Sequence, residues 1–337
     1  MAQHTEGRKA KVVVTDYLSD DLEPERSVLG SVATVEALGA RSEEELVGRI
    51  EEADALLVYH YIVLTAGTID RLRKCRIIVR CGAGYDNVDV RRAAERGIPV
   101  ANVPDYGTEE VADSAFGMIL SLTRGISLAN SSLRAGGSSW DHRVVVPLHR
   151  LRGRTIGIVG LGRIGTAVAR RALASGMDVL FYDPYKPSGY DKALGIRRAE
   201  TLEELLRSSY VVTLHCPATD ETRGMIDRKA LRTMPEGSFL VNTARGAIVD
   251  PEALLEALES GHLAGAAIDV LDKEPPPDDH PLVRAWRDPS HPAHHRLIIN
   301  PHSAFYSEEA FREMRTKGAL HCLRALRGEA VRDIVNM

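Results

Sequence analysis

The feature that most narrows what this chain can fold into is a hexapeptide, Gly160-Leu161-Gly162-Arg163-Ile164-Gly165. It directly follows an apolar run, TIGIV, and opens a helical pattern, TAVARRALAS. Strand, glycine turn and helix in that order make the first βα unit of a dinucleotide-binding sheet. Gly160 permits the tight turn and Gly162 lets backbone approach a pyrophosphate. Gly165 lets helix and strand pack closely, and the helix N-terminus offers free N–H groups to the anion. Asp183 closes the next apolar run, VLFYD. A carboxylate there accepts hydrogen bonds from ribose hydroxyls and repels a 2′-phosphate, so the expected cofactor is NAD. Lys186 is the nearest cation after it, and no arginine follows directly.

The hexapeptide sits inside a longer alternation of short apolar runs with helical stretches, the signature of parallel sheets wrapped by helices. One series is KVVVTDY at 11–17, DALLVY at 54–59, RIIVRCG at 76–82 and PVANV at 99–103. A second contains TIGIVG, VLFYD, VVTLH, FLVNT, AGAAID and LIIN, six strands between 155 and 300. Between the series, Val111, Ala115, Met118, Ile119, Leu122, Ile126 and Leu133 recur at mostly three- and four-residue steps, which predicts one long helix or two abutting ones over 108–134. Phe116, Met118, Ile119 and Leu122 exceed what one face against its own domain requires, so part of this segment is expected to pack on a second subunit. After Pro301 the pattern is helical only, stopping at Gly328, and no further strand is expected. A lone helix makes no domain, so it should return to the first block. The expected architecture is α/β with two Rossmann-like domains. A discontinuous flavodoxin-like substrate domain spans 1–104 plus 301–337, and an NAD-binding Rossmann domain over 105–300 is inserted in it.

Composition removes several functions. With 43 Lys and Arg against 47 Asp and Glu the net charge is −4, which lacks the basic excess that nucleic acid needs. No apolar run reaches the ~20 residues of a membrane span, and MAQHTEGRKAKVVV has no leader pattern, so a cytoplasmic location is expected. Cys75, Cys81, Cys216 and Cys322 form no C-x-x-C, so reduced thiols and no metal site are expected.

Three polar residues stand where strands of the second series end: Arg245 after FLVNTA, Glu274 after AAIDV and His302 after LIINP. Ligands of open α/β sheets bind at the carboxyl ends of strands. A histidine beside a carboxylate suits proton transfer near neutral pH, and an arginine offers a planar fork to a substrate carboxylate. Hydride exchange with NAD at a carbinol carbon needs those roles: an acid/base, its orienter and an anchor. Taken singly, each has a bland alternative as a surface ion pair, a solvated acid or a satisfied strand-end histidine.

The motifs VGLGRIG, VNTARG, DVLDKEP and PHSAFYSEEA resemble the D-isomer-specific 2-hydroxyacid dehydrogenase family along nearly the whole chain. The likeness is closest to its C-terminal-binding-protein-like branch, through LTAGTIDRLRKCRIIVRCGAGYDNVD, VEALGA, VLFYDPY, VTLHCP and SAFYSE. The resemblance implies Arg245, Glu274 and His302 as catalytic residues, with His302 the proton donor in reduction. It implies cofactor contacts at Arg163, Ile164, Cys216, Pro217, Thr222, Thr243, Ala244 and Asp269 besides the glycines and Asp183. It also implies that Gly82, Ala83 and Gly84 offer backbone N–H groups to a small anionic substrate, a 2-keto or 2-hydroxy acid, with Arg80, Tyr59, His60, Tyr61 and Phe305 nearby, and that the protein is a homodimer. Two glycines flanking Ala83 at a strand end do permit an anion-cradling nest, although a plain turn fits them as well.

Where co-repressors of that branch carry tryptophan after the histidine, this chain reads His302-Ser303-Ala304-Phe305, and it ends at Met337 without their long tail. The expected function is interconversion of a small (R)-2-hydroxy acid and its 2-keto acid. The alternatives are an NAD-sensing scaffold, and a dehydrogenase acting on a phosphonate or similar anion.

Overall fold

The computed structural model describes residues 9–136 and 140–337. The first eight residues, read above as lacking a leader, lie outside the described residues. The chain divides into two compact units, Met1–Gly107 with Ser307–Met337, and Thr108–Tyr306.

The first unit holds a five-stranded parallel sheet of β1 (Ala10–Asp16), β2 (Ala33–Ala40), β3 (Ala55–Val58), β4 (Ile77–Arg80) and β5 (Val100–Asn102), in the order β2-β1-β3-β4-β5. This is the flavodoxin-like doubly wound order. Strands β3 and β4 are buried along their whole length because helices cover both faces, and so they read as unbroken apolar runs. Strand β2 lies at an edge, and its burial mostly alternates along ATVEALGA. Half-exposed edges tolerate Glu36 and Gly39, which left this strand without a β-branched signal.

Helix Glu308–Arg327 belongs to this unit: Ser307 caps it by accepting from Ala310 N, and it stops at Gly328 with φ 71°. A Cβ on its Gly318 would lie 2.9 Å from the Cys81 sulfur, so glycine lets the helix lie close upon the sheet. Beyond it the tail returns to the sheet edge, where Ile334 bridges Ala101 antiparallel and Val335 N donates to Val100 O at 2.9 Å. No further strand follows Pro301 among the described residues, as expected; the tail adds only this one bridge. A single bridged residue has no periodicity to detect.

The second unit carries β6 (Thr155–Val159), β7 (Asp178–Tyr182), β8 (Arg197–Arg198), β9 (Val211–Leu214), β10 (Ser238–Asn242), β11 (Leu263–Ile268) and β12 (Leu297–Ile299). They are parallel in the order β12-β11-β10-β9-β6-β7-β8. The strand order reverses between β6 and β9, the switch point at which such sheets bind dinucleotides. The two-residue β8 was not expected, since two arginines give no apolar signal. The 108–134 segment is two helices, Thr108–Thr123 and Ile126–Ala135, parted at Gly125 with φ 62°. Met118 and Ile119 are buried in this unit's own core, with Phe116 and Leu122 packed against it. The unit's own core therefore accounts for Met118 and Ile119, and in part for Phe116 and Leu122. The apolar side chains left exposed are Ile126 and Leu133, on a helix that buries none of its residues.

One buried ion cluster fastens the first unit. Arg315, on the closing helix and 4% exposed, donates through Nε and Nη2 to Glu25 at 2.8 and 2.7 Å, and to both Asp20 oxygens. Glu25 is 0% exposed. Arg315→Met would strand its charge, so unfolding stability should fall by about 3–5 kcal/mol, measured as a lowered urea midpoint.

Candidate active site

The candidate residues of the second unit stand along one edge of its sheet, each just past the carboxyl end of a strand. In the glycine loop after β6 the three glycines have different reasons. Gly160 has φ +88°, and a Cβ there would lie 2.7 Å from Cys216 N. A Cβ on Gly165 would meet Gly160 O at 2.2 Å. Gly162 has ordinary φ, and a Cβ on it would meet nothing within 4 Å, so the protein's own packing does not require glycine there. The backbone there is open to a group approaching from outside, at the N-cap of helix Arg163–Ala174.

Asp183 closes over the same loop: its Oδ2 accepts from Leu161 N at 2.9 Å and its Oδ1 from Tyr185 N at 3.0 Å. Arg198, on β8, donates to Lys186 O and Asp183 O, an arginine beside Asp183 that linear sequence distance concealed. Past β9, Thr222 Oγ1 donates to Pro217 O at 2.6 Å and fixes the loop that starts at Cys216. Burial pushes the Cys216 thiol up to about 11, so it is not an activated nucleophile. Past β10, the Thr243 hydroxyl is buried with no hydrogen-bond partner among the described residues. An orphaned hydroxyl at a strand end and a glycine required by nothing in the protein both fit a dinucleotide, whose carboxamide and phosphates need such groups. Arg163 is exposed and Ile164 half-buried at the helix start, next to the loop they were expected to serve.

His302 and Glu274 are brought together: the His302 ring donates from Nδ1 to Glu274 Oε2 at 2.6 Å. The other ring nitrogen, Nε2, is a donor if protonated and an acceptor otherwise. Glu274 Oε1 accepts from Leu271 N at 2.7 Å, which fixes the carboxylate's rotation. His302 itself takes φ 52°, a left-handed conformation that costs free energy in a non-glycine residue.

Asp269 holds it there. Asp269 O accepts from His302 N at 2.8 Å, and its two carboxylate oxygens accept from Ser303 N at 2.9 Å and Ala304 N at 3.0 Å. Burial raises the carboxyl of Asp269 above the usual range, opposed by those N–H groups. Phe305 is buried, with its ring edge-on to the His302 ring at 6.3 Å.

Arg245 follows a turn that Asn242 clamps at both ends: Ala244 N donates to Asn242 Oδ1 at 3.0 Å, and Asn242 Nδ2 donates to Arg245 O at 2.9 Å. The next residue, Gly246, rests against the loop that bears Glu274, since a Cβ on it would lie 1.9 Å from Leu271 C. The turn bearing Arg245 and the loop bearing Glu274 thus lie in close backbone contact. Asn242 and Gly246 escaped the sequence reading. A polar residue ending an apolar strand was the available signal for the first, and the second had none.

The first unit contains the other candidate group. Cys81 O accepts from Arg80 Nη1 at 2.9 Å, Gly82 O from Val103 N at 3.1 Å and Ala83 O from Asn102 Nδ2 at 2.6 Å. With three successive carbonyls engaged on the protein, the orientation of the loop's peptide planes is fixed. Gly82 has φ +144°, and a Cβ there would strike Arg80 Nη1 at 1.6 Å. Arg80 is 5% exposed and braces this loop, with Nε on Asn87 Oδ1 at 3.3 Å and Nη2 3.5 Å from His60 Nδ1. Tyr61 is exposed, whereas Tyr59 is fully buried with its hydroxyl on Glu25, so Tyr59 is corrected from ligand neighbour to core. Among the described residues no cluster of metal-ligating side chains occurs and no helix is long and apolar enough to cross a membrane.

Residues 116–304 match the family model described as D-isomer specific 2-hydroxyacid dehydrogenase, NAD binding domain. The chain is 37% identical over 327 residues to a D-3-phosphoglycerate dehydrogenase of Methanocaldococcus jannaschii, covering 97% of this chain and 59% of that protein. It thus spans little more than half of that relative's length. It is 38% identical to a glyoxylate reductase of Korarchaeum cryptofilum, over 88% of this chain and 86% of the relative. Its fold matches the crystal structure of D-lactate dehydrogenase from Aquifex aeolicus complexed with NAD and lactic acid, with a TM-score of 0.84 and 27% identity over 94% of this chain and 96% of that one.

The close approach of Gly165 to Gly160 O yields a direct test. Gly165→Ala should push helix and loop apart at a cost of about 1–3 kcal/mol, weakening NADH binding roughly ten- to hundredfold in a fluorescence titration.

Proposed function

The chain belongs to the D-isomer-specific 2-hydroxyacid dehydrogenase family, and from that premise we propose that it is an NAD-dependent oxidoreductase interconverting a small (R)-2-hydroxy acid and its 2-keto acid. The observation that carries this reading is the 2.6 Å pair of Glu274 and His302, in the unit that also bears the glycine loop. A scaffold that only senses NAD has no need of a strained histidine held against a carboxylate. The chemistry the nicotinamide supplies when bound is hydride transfer. The glycine loop, Asp183, Thr243 and the loop from Cys216 to Thr222 hold the dinucleotide in this assignment.

The protein's own residues divide the rest of the work. His302 delivers a proton from Nε2 to the carbonyl oxygen in reduction and removes it in oxidation, while Glu274 on Nδ1 fixes the ring and favours its protonated form. Arg245 anchors the substrate carboxylate and polarises the carbonyl as charge develops on oxygen. For the first unit, the proposal is that the Gly82–Gly84 N–H groups take a carboxylate, with Arg80 holding the loop in shape. A phosphonate would meet the same donors, so a panel of 2-keto acids of graded side chain, with a phosphonate analogue included, assayed by NADH oxidation, tests the reading. Turnover of none of them overturns it. The proposed assembly is a homodimer in which helix Ile126–Ala135, bare of buried residues, meets its copy.

Cofactor preference follows from Asp183, which opposes a 2′-phosphate with like charge at a cost of several kcal/mol. NADH should therefore be used with much higher kcat/KM than NADPH, and Asp183→Ala should narrow the gap. Equal efficiency with the two in the unaltered protein would remove the argument.

The division of labour predicts distinct kinetic signatures. His302→Ala should lower kcat by roughly 10²–10⁴, the range of a lost general acid, with NADH still bound. Arg245→Ala should raise KM strongly and lower kcat as well. Near-normal turnover in both variants would move the reading to the scaffold.

A further inference from the structure

Glu274 stands on a proline-rich segment, Asp272 to His280, whose residues are mostly exposed. A carboxylate on such a loop meets His302 at 2.6 Å only if the base of the loop is fixed. The bond from Leu271 N to Glu274 Oε1 is local and does not fasten the loop to the body of the unit. Gly246 gives the loop a surface to rest on, but no bond.

Two further contacts tie the loop: an exposed pair of Asp278 with Arg287, 3.5 Å apart, and the buried side chain of His280. This residue is 5% exposed and directly precedes helix Pro281–Arg287, which buries Leu282, Val283 and Ala285. Its Nε2 lies 2.8 Å from Asp272 Oδ1. A carboxylate can only accept, so the ring proton in that bond is on Nε2. Nδ1 is buried with no partner among the described residues, a cost that a phenyl ring of similar shape would avoid. The side chain therefore gains from polarity only through Asp272, which is 43% exposed and two residues before Glu274.

We propose that His280 is a positioning residue of the proton relay: through Asp272 it anchors the loop that presents Glu274 to His302. The proposal rests on the functional reading above for its kinetic consequences, but not for its structural ones. It calls for His280→Phe, which keeps a flat ring of somewhat larger size, and Asp272→Ala, which removes the other end of the bond at the surface and leaves the core untouched.

In both variants kcat should fall roughly tenfold, the lower end for lost outer-shell orienters, with KM and NADH affinity within about twofold. His280→Gln, which still donates to Asp272, should recover most of the loss. In a Glu274→Ala background neither substitution should lower kcat further, because the residue they position is gone. The histidine ring ¹⁵N spectrum, with His302 assigned by its loss in His302→Ala, reads the geometry without turnover: release of Glu274 should shift His302 from the Nδ1–H form toward Nε2–H. If His280→Phe fails to fold, Asp272→Ala carries both measurements.

An unchanged His302 spectrum in the folded variants overturns the proposal, as does a tenfold loss that persists without Glu274. Wild-type protein inactive on every keto acid would overturn the functional reading instead, with the spectrum still deciding the role of His280.

Discussion

The second unit's candidate chemistry depends on one buried carboxylate. Asp269, at the end of β11, gives its backbone oxygen to His302 N and its side-chain oxygens to Ser303 N and Ala304 N. Those three bonds stabilise a left-handed histidine, φ 52°, that its own backbone preferences oppose. The position of the imidazole is thereby set by the neighbouring strand rather than by the loop on which it stands. Desolvation of Asp269 is the opposing cost, and the converging N–H groups are what make a buried carboxylate tolerable there.

The same logic recurs around it. Asn242 clamps the turn before Arg245, Gly246 lets that turn lie on the backbone of Leu271 and Asp272, and Glu274 is fixed from its own loop by Leu271 N. In the first unit Asn102, Arg80 and Val103 engage the carbonyls of the Cys81–Ala83 loop. In each case a strand end supplies the rigid part and a short polar side chain or a backbone group fixes the loop. A catalytic group on a strand end needs this second layer, since a misplacement of about 1 Å is enough to reduce turnover strongly.

Much of this was legible in the residues. The glycine hexapeptide after TIGIV, the acid after VLFY, and the arginine, glutamate and histidine at strand ends all marked positions where polarity follows an unbroken apolar run. Strands β3, β4, β9 and β10 are buried along their length, so their sequences carry a strong signal. Strands β2 and β8 and the bridging tail gave little, because edge and short strands need no apolar face on the solvent side.

Sequence alone determined the order of elements, the glycine turn and which residues could carry charge at the strand ends, because each depends on local backbone geometry or on the chemistry of one side chain. It did not determine which of the apolar residues in 108–134 face the core, that Tyr59 is buried on Glu25, or that Arg198 lies beside Asp183. Nor did it disclose that Asp269 holds the His302 backbone, that Gly246 packs on Leu271, or that His280 bonds Asp272. Those facts are pairings between residues on different strands and loops, and a pairing has no energy until the parallel sheet brings its partners within hydrogen-bond distance.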